Sequence, residues 1–339
     1  MRTIEFGATG EKVSRIALGA MPMGTIADED SSVALLDRYV ADGGSFIDTA
    51  DCYAWWWAKG TPGGQSEDLL GRWMERRGNR DDLFISTKGT ARVNNLDQVW
   101  PADAADPDWS IARRNFVGAS AAVLRESLEA SLRRLRTDRI DLYYVHVDDR
   151  ATPLEETLAT LAEFVAEGKV RHIGWSNVRT WRLERIRQLC AQNGWPAPVA
   201  LQQEHSYLHR RPGLSTASVV DDEQLDYLAE HPDLTLVAYS PVLKGIYEMS
   251  DDEREAHYLW RDNYAGEHQR AQIAAVREVA ADLGARPGQV VLAWLLAQEN
   301  PRVVPLVGTS KVSRYEEAAA ALSLELTPEH LARLADVGA

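Results

Sequence analysis

Cysteine is nearly absent. Cys52 and Cys190 are the only two in 339 residues, too few for a disulfide framework and without metal-ligand spacing, so a reducing cytoplasm is the expected setting. No stretch of about 18 apolar residues occurs that could span a bilayer. The opening MRTIEFGATG has no charged start leading into an apolar run, and no signal peptide is expected. Basic residues are in deficit: 37 Lys and Arg against 51 Asp and Glu leave a net charge of −14. That argues against non-specific nucleic-acid binding, while a local basic pocket for a phosphorylated ligand stays compatible with it. Neither HxH nor HExxH spacing is found, and His172, His205 and His209 fall on other elements than His146, so no metal is expected. Low-complexity segments and interdomain linkers are missing too.

What is present is an alternation. After a Gly-containing hairpin (TIEF, GATG, KVSR), apolar strand patterns at 15–20, 45–50, 83–88, 140–146, 170–176, 198–203, 234–240 and 302–308 are each followed by a helical pattern. These helices are placed at 31–42, 66–77, 121–136, 153–167, 180–193, 222–230, 268–283 with 288–298, and 314–321, with a last one at 328–336. Two long irregular segments interrupt the series, 89–119 and 244–266. Strands alternating with helices imply parallel strands joined by right-handed crossovers, and eight units in a chain of this length predict one closed (β/α)8 barrel domain over 1–339. A doubly wound sheet would want a Gly-rich turn after its first strand, and the residues from Gly19 to Gly24 are not GxGxxG.

In such a barrel, side chains at strand C-termini converge on one mouth. Asp48 closes SFID, Lys88 closes LFISTK and His146 closes IDLYYVH, while Tyr53 hangs five residues beyond Asp48. Taken singly, Lys88 at a strand end is more often a solvated loop residue and His146 more often a hydrogen-bonded core histidine, and Tyr53 is as readily a packing residue. Together they make a proton-transfer site. A phenol titrates near 10 and a neighbouring ammonium lowers it, so Lys88 is expected to bring Tyr53 down, with Asp48 as counter-charge and His146 as hydrogen-bond donor or relay.

The blocks SFIDTADCY, LFISTK, DLYYVH, GKVRHIGWSN, LQQEHSYLHR, LVAYSP and VPLVGTSKVSRYEE resemble, in order, those of the aldo-keto reductases, a family of nicotinamide-dependent barrels. The resemblance implies a catalytic tetrad of Asp48, Tyr53, Lys88 and His146. It implies that Ser176, Asn177 and Gln202 hold the nicotinamide carboxamide and that Tyr239 stacks on the ring. Ser240, Pro241, Leu243 and Gly245 resemble the pyrophosphate block, and Gly308, Thr309, Ser310, Lys311, Arg314 and Glu317 the adenosine-phosphate block. The chain departs from the family pattern at His205 and Tyr207, at Leu243-Lys244-Gly245, and at Ala318, where many members have asparagine.

Substrate choice lies in the loops. Three consecutive tryptophans, Trp55 to Trp57, cannot all be core, and Trp100 and Trp109 lie in the 89–119 segment. Trp55, Trp56 and Trp100 are the candidates for a pocket wall. Asp51, Asp148 and Asp149 near the mouth would favour a neutral polyhydroxylated substrate. The 244–266 stretch, with Tyr247, Tyr258, Trp260 and Tyr264, would fold over the cofactor as a flap.

The expected activity is interconversion of an aldehyde, ketone or sugar with its alcohol, using NADP(H), with NAD(H) as the alternative cofactor. The expected partner is a small-molecule substrate, without nucleic acid or membrane; oligomeric state is left open. The competing readings are a cofactor-binding regulatory subunit with little turnover, and a barrel glycosidase, for which Glu204 is the one obvious strand-end glutamate and lacks a convincing partner.

Overall fold

The computed structural model describes residues 1–57, 59–101, 104 and 106–337. β1 (Thr3–Glu5) and β2 (Lys12–Ser14) form an antiparallel hairpin. Eight parallel strands then close into a barrel: β3 (Ala17–Gly19), β4 (Phe46–Asp48), β5 (Phe84–Gly89), β6 (Ile140–Val145), β7 (Val170–Ser176), β8 (Ala200–Glu204), β9 (Thr235–Tyr239) and β10 (Val303–Gly308). They lie in chain order, and β10 pairs with both β9 and β3 to complete the ring. The expected (β/α)8 barrel with its hairpin is the observed fold.

Residue parity divides each strand between two cores, because successive strand side chains point to opposite faces. Phe46, Phe84, Leu142, Tyr144, Ala200, Val237, Val304 and Leu306 fill the barrel interior. Their neighbours Ile47, Ile85, Tyr143, Ile173, Trp175, Leu201 and Leu236 face outward and pack under the helices. The helices Glu29–Ala41 and Gln65–Arg77 answer with Leu35, Leu36 and Tyr39, and with Leu69, Leu70, Trp73 and Met74, at helical spacing. Each such fully buried leucine contributes about 1.5–3 kcal/mol by leaving water.

The hairpin plugs the N-terminal end of the barrel. Phe6 packs against Phe46 and Phe84 with ring centroids 5.5 and 5.1 Å away. Gly7 (φ 56°) lets the chain turn there: a Cβ would sit 2.6 Å from the Asp233 carbonyl. With that end filled, the strand C-termini form the open mouth.

The two segments expected to be irregular carry short helices. Within 89–119 these are Leu96–Val99 and Trp109–Ala112, the second capped by Asp108, whose carboxylate accepts from the Ser110 and Ile111 N–H groups. Within 244–266 a 3-10 stretch, Leu243–Glu248, leads into helices Asp251–Ala256 and Tyr258–Asn263, the former opened by a Ser250/Glu253 capping box. The aromatics expected in a flap are mostly core. Tyr247, Trp260 and Tyr264 pack with Ile273, Val276, Val279 and Val290, and Tyr258 alone of the four is exposed. Among the described residues no helix is long and apolar enough to cross a membrane.

Candidate active site

The inward parity that fills the barrel with apolar side chains lower down delivers polar ones at the top. Phe46 is followed on the same face by Asp48, Phe84 by Ser86 and Lys88, and Leu142 and Tyr144 by His146. Gly174 is likewise followed by Ser176, Ala200 by Gln202, Val237 by Tyr239, and Leu306 by Gly308. Gly174 must be small because a Cβ there would lie 2.6 Å from the Tyr144 ring.

These ends meet at a cavity of about 1020 Å³. At its base Lys88, fully buried, forms an ion pair with Asp48, donates to the Thr49 carbonyl (2.8 Å) and donates to Tyr53 Oη (2.9 Å). Asp48 also accepts from Ser86 Oγ (2.6 Å) on the adjacent strand β5 and from Gln202 Nε2 (3.0 Å) on β8 across the barrel, so the buried carboxylate is well supplied with donors. The Tyr53 ring stands edge-on to His146 and to Trp56, each 5.7 Å away between centroids.

Burial, followed by the Asp48 carboxylate, pushes the Tyr53 phenol well above its ordinary value of 10. The expected lowering by Lys88 is therefore outweighed: its ammonium touches the oxygen, but loss of water and the nearby carboxylate set the net direction. Burial, then the Lys88 charge, pushes His146 well below 6.5. Between pH 6.5 and 10 both groups should keep one charge state, a neutral phenol beside a neutral imidazole. NMR of the His146 ring should accordingly show no titration above pH 6.5, and a midpoint inside that window would contradict the geometry.

Beyond this base, Asn177, in the left-handed region (φ 53°), ties three strand ends together. Its Nδ2 donates to the His146 carbonyl (2.8 Å) and to Ser176 Oγ (3.0 Å), and its Oδ1 accepts from Tyr239 Oη (2.9 Å). Ser176, Asn177, Gln202, Tyr239, Ser240, Pro241, Gly245, Gly308, Thr309, Arg314 and Glu317 all line the cavity. Leu243 does not: its side chain is fully buried in the core with Ile246 and Tyr247. Ser310 and Lys311 are also off the wall, because the helix starts at Val312, two residues earlier than expected, which makes Lys311 its exposed N-cap.

The cationic partner of Arg314 is instead Arg286, which the sequence reading missed. Glu317 is held between them, 2.9 Å from Arg286 and 3.1 Å from Arg314, and Arg286 also reaches Glu248 (3.2 Å). No local signal marked Arg286; it precedes the helix Pro287–Leu296 of a different βα unit.

At the other end the walls are Met21, Tyr53, Trp55, Trp56, Ala91, Trp109, Phe116 and Val147. Trp55, Trp56 and Trp109 form one aromatic cluster with centroids 5.2–6.1 Å apart. Trp100 is not part of this wall. It is buried within its own loop, where Nε1 donates to the Ala104 carbonyl (3.1 Å), and Trp109 takes the place expected of it.

The three acidic residues expected at the mouth are off the wall too. Asp51 is buried beside Arg92 (3.3 Å), Asp148 pairs with Arg182 (3.0 Å), and Asp149 accepts from the Ala119 and Ala151 N–H groups. The departures at His205 and Tyr207 also leave the wall untouched: His205 packs on Trp294, and Tyr207 Oη donates to the Leu334 carbonyl. Glu204 is engaged by Arg210 and Tyr264, each at 3.0 Å, and does not line the cavity, so the strand-end glutamate that a glycosidase would use is tied up away from the wall.

The model of the Aldo/keto reductase family matches residues 15–339. The chain belongs to that family. This aldo-keto reductase is 30% identical over 337 residues to norsolorinic acid reductase stcV of Emericella nidulans, covering 96% of this chain and 79% of that protein. It is 30% identical over 347 residues to an NADP(+) aryl-alcohol dehydrogenase of Phanerodontia chrysosporium, covering 96% and 83%. Its fold is similar to that of the thermostable aldo-keto reductase Tm1743 solved with the inhibitor epalrestat, with a TM-score of 0.72 at 27% identity over 99% of this chain and 100% of that one. As an aldo-keto reductase it is an oxidoreductase of small-molecule carbonyls, from a family that generally uses nicotinamide cofactors.

Proposed function

We propose that this chain is an NADPH-preferring reductase of neutral aromatic aldehydes or ketones, with Tyr53 as the proton donor. The observation that carries the reading is the Tyr53 hydroxyl, bonded to Lys88 at the base of the cavity and flanked by His146. A dinucleotide fits the wall: side-chain amides and hydroxyls lie next to the proton donor, two arginines lie at the far end, and a Cβ added at Gly245 would meet nothing within 4 Å. Ser176, Asn177 and Gln202 would hold the carboxamide, Tyr239 the ring, and Arg286 and Arg314 the phosphate end. Bound there, the cofactor supplies the hydride.

The chain's own residues do the rest. Tyr53 donates its O–H to the carbonyl oxygen as charge develops there. Lys88 stabilises the phenolate left behind, and Asp48 holds Lys88 in place. His146 faces the same oxygen from the side. The tryptophan wall keeps water away and offers flat apolar faces.

The charged side chains on the wall, apart from Asp48, lie toward the cofactor end: Lys244, Glu248, Glu253, Arg286, Arg314 and Glu317. A sugar would leave hydroxyls unpaired against Trp55, Trp56, Trp109 and Phe116, which disfavours it over an aromatic carbonyl. The name of the aryl-alcohol dehydrogenase relative agrees in both substrate class and cofactor. Two buried, unbridged cysteines fit a cytoplasmic setting.

The test is a steady-state panel of aromatic aldehydes, aliphatic ketones and sugars with NADPH and NADH. Aromatic carbonyls with NADPH should give the highest kcat/KM; no turnover on any of them would leave the regulatory reading standing. Arg314→Ala should weaken NADPH by about tenfold, the lower end for a charged hydrogen bond because Arg314 is exposed, and leave NADH nearly unchanged. Equal losses for both cofactors in a fluorescence titration would sink the phosphate-end assignment.

A further inference from the structure

Cys52 has no part in the roles above, although it immediately precedes Tyr53. Its side chain is fully buried with Ala50, Trp55, Val99 and Ala112, and its Sγ lies 3.4 Å from His146 Nδ1. Among the described residues this is the one hydrogen bond of the His146 ring, and the ring lines the cavity. Nε2 is therefore the nitrogen left to meet a bound carbonyl oxygen. A neutral imidazole carries one N–H and one lone pair, so what Nδ1 does decides what Nε2 offers.

We propose that Cys52 is a positioning residue, whose Sγ–H donates to His146 Nδ1 and so keeps the ring proton on Nε2, where it is offered to the substrate's carbonyl oxygen. The inference rests on the reading of this site as a carbonyl reductase. Burial pushes the thiol well above its ordinary value and the imidazole well below its own, so the pair is a thiol and a neutral ring, with one S–H and one N–H between them. The opposite arrangement would have Nδ1–H donating to sulfur, a weak acceptor, and would turn a lone pair on Nε2 toward the lone pairs of the carbonyl oxygen. Lys88 on the other side of Tyr53 opposes a doubly protonated ring, which would otherwise make the choice of tautomer irrelevant.

The observation is also local to the geometry of the loop. Cys52 and Tyr53 are consecutive, so the residue that sets the ring's proton and the residue that donates the other one move together with β4. A bound carbonyl oxygen would meet two donors, Tyr53 Oη–H from the loop after β4 and His146 Nε2–H from just beyond β6, and the Cys52 contact ties the second to the loop that carries the first.

The test is 15N NMR of the His146 ring in the 339-residue chain, together with steady-state kinetics of three variants. The parent should show the Nε2–H tautomer. Cys52→Ala and Cys52→Val remove the donor, the second while keeping most of the volume. Both should populate the other tautomer and lower kcat by about three- to tenfold, with KM and the dissociation constant of NADPH little changed. Cys52→Ser keeps a donor and should recover the tautomer and most of the rate. A parent ring protonated on Nδ1, or a Cys52→Val enzyme with the parent's kcat, overturns the proposal. Failure of the reductase reading would look different: a parent that reduces no carbonyl at all, whatever the state of its histidine.

Discussion

Tyr53→Phe is expected to lower kcat by roughly 10²- to 10⁴-fold, the usual contribution of a positioned general acid, while NADPH binds within about twofold of the parent. The substitution removes one oxygen and keeps the ring edge that Trp56 and His146 pack against, so the cavity wall should keep its shape. Lys88 loses one of three acceptors but retains Asp48 and the Thr49 carbonyl, so the buried charge stays paired. The phenol is held in its acid form by burial and by Asp48, which is the state needed to give a proton to a developing alkoxide. Single-turnover mixing of enzyme, NADPH and an aromatic aldehyde separates the chemical step from release. A rate within a few-fold of the parent would remove Tyr53 from its assigned role.

Lys88→Met should be costly to the fold as well as to the reaction. It leaves Asp48, 1% exposed, with Ser86 and Gln202 as donors but without its counter-charge. Breaking one side of a buried ion pair typically costs about 3–5 kcal/mol, because the remaining charge stays desolvated. Urea unfolding of parent and variant measures this directly. The double variant Lys88→Met with Asp48→Asn removes both charges and should regain much of the loss, although it stays inactive. In the oxidation direction, any residual activity of the single variant should shift to higher pH, since Tyr53 would lose the cation that stabilises its phenolate. If the single variant is as stable as the parent, the pair is not the anchor that its burial and three hydrogen bonds indicate.

Much of this was legible in the sequence, for a physical reason. In a barrel whose interior is apolar, a carboxylate, an ammonium or an imidazole on the inward parity of a strand can stand only at the open end. The run Phe84, Ser86, Lys88 already states its own position once strand and direction are known. Eight strands with intervening helices supplied the direction.

What escaped was set by contacts between distant segments. Arg286 comes to the cavity wall beside Arg314 because the helix Pro287–Leu296 starts beside Glu248 and Glu317, which no local pattern encodes. Trp109 rather than Trp100 reaches the wall because Asp108 caps a helical turn that aims it there, while Trp100 closes on its own loop. Asp51, Asp148 and Asp149 were read as mouth residues from position alone, whereas arginines and backbone N–H groups draw them away from it. The two long segments, 89–119 and 244–266, were expected to be irregular, but Asp108 and Ser250 with Glu253 are caps, and caps start helices.

The lysine at the base of the cavity has one further property. Primary amines condense with aldehydes and ketones to imines, and an unprotonated lysine beside a carbonyl substrate would be consumed by it. The Lys88 ammonium places its three N–H bonds on Asp48, Thr49 and Tyr53, which hold it in the protonated form, and a nitrogen with four bonds has no lone pair with which to attack a carbonyl. The same contacts that hold it against Tyr53 make it a non-nucleophile, and the site can keep a carbonyl compound within reach of a lysine without forming an imine.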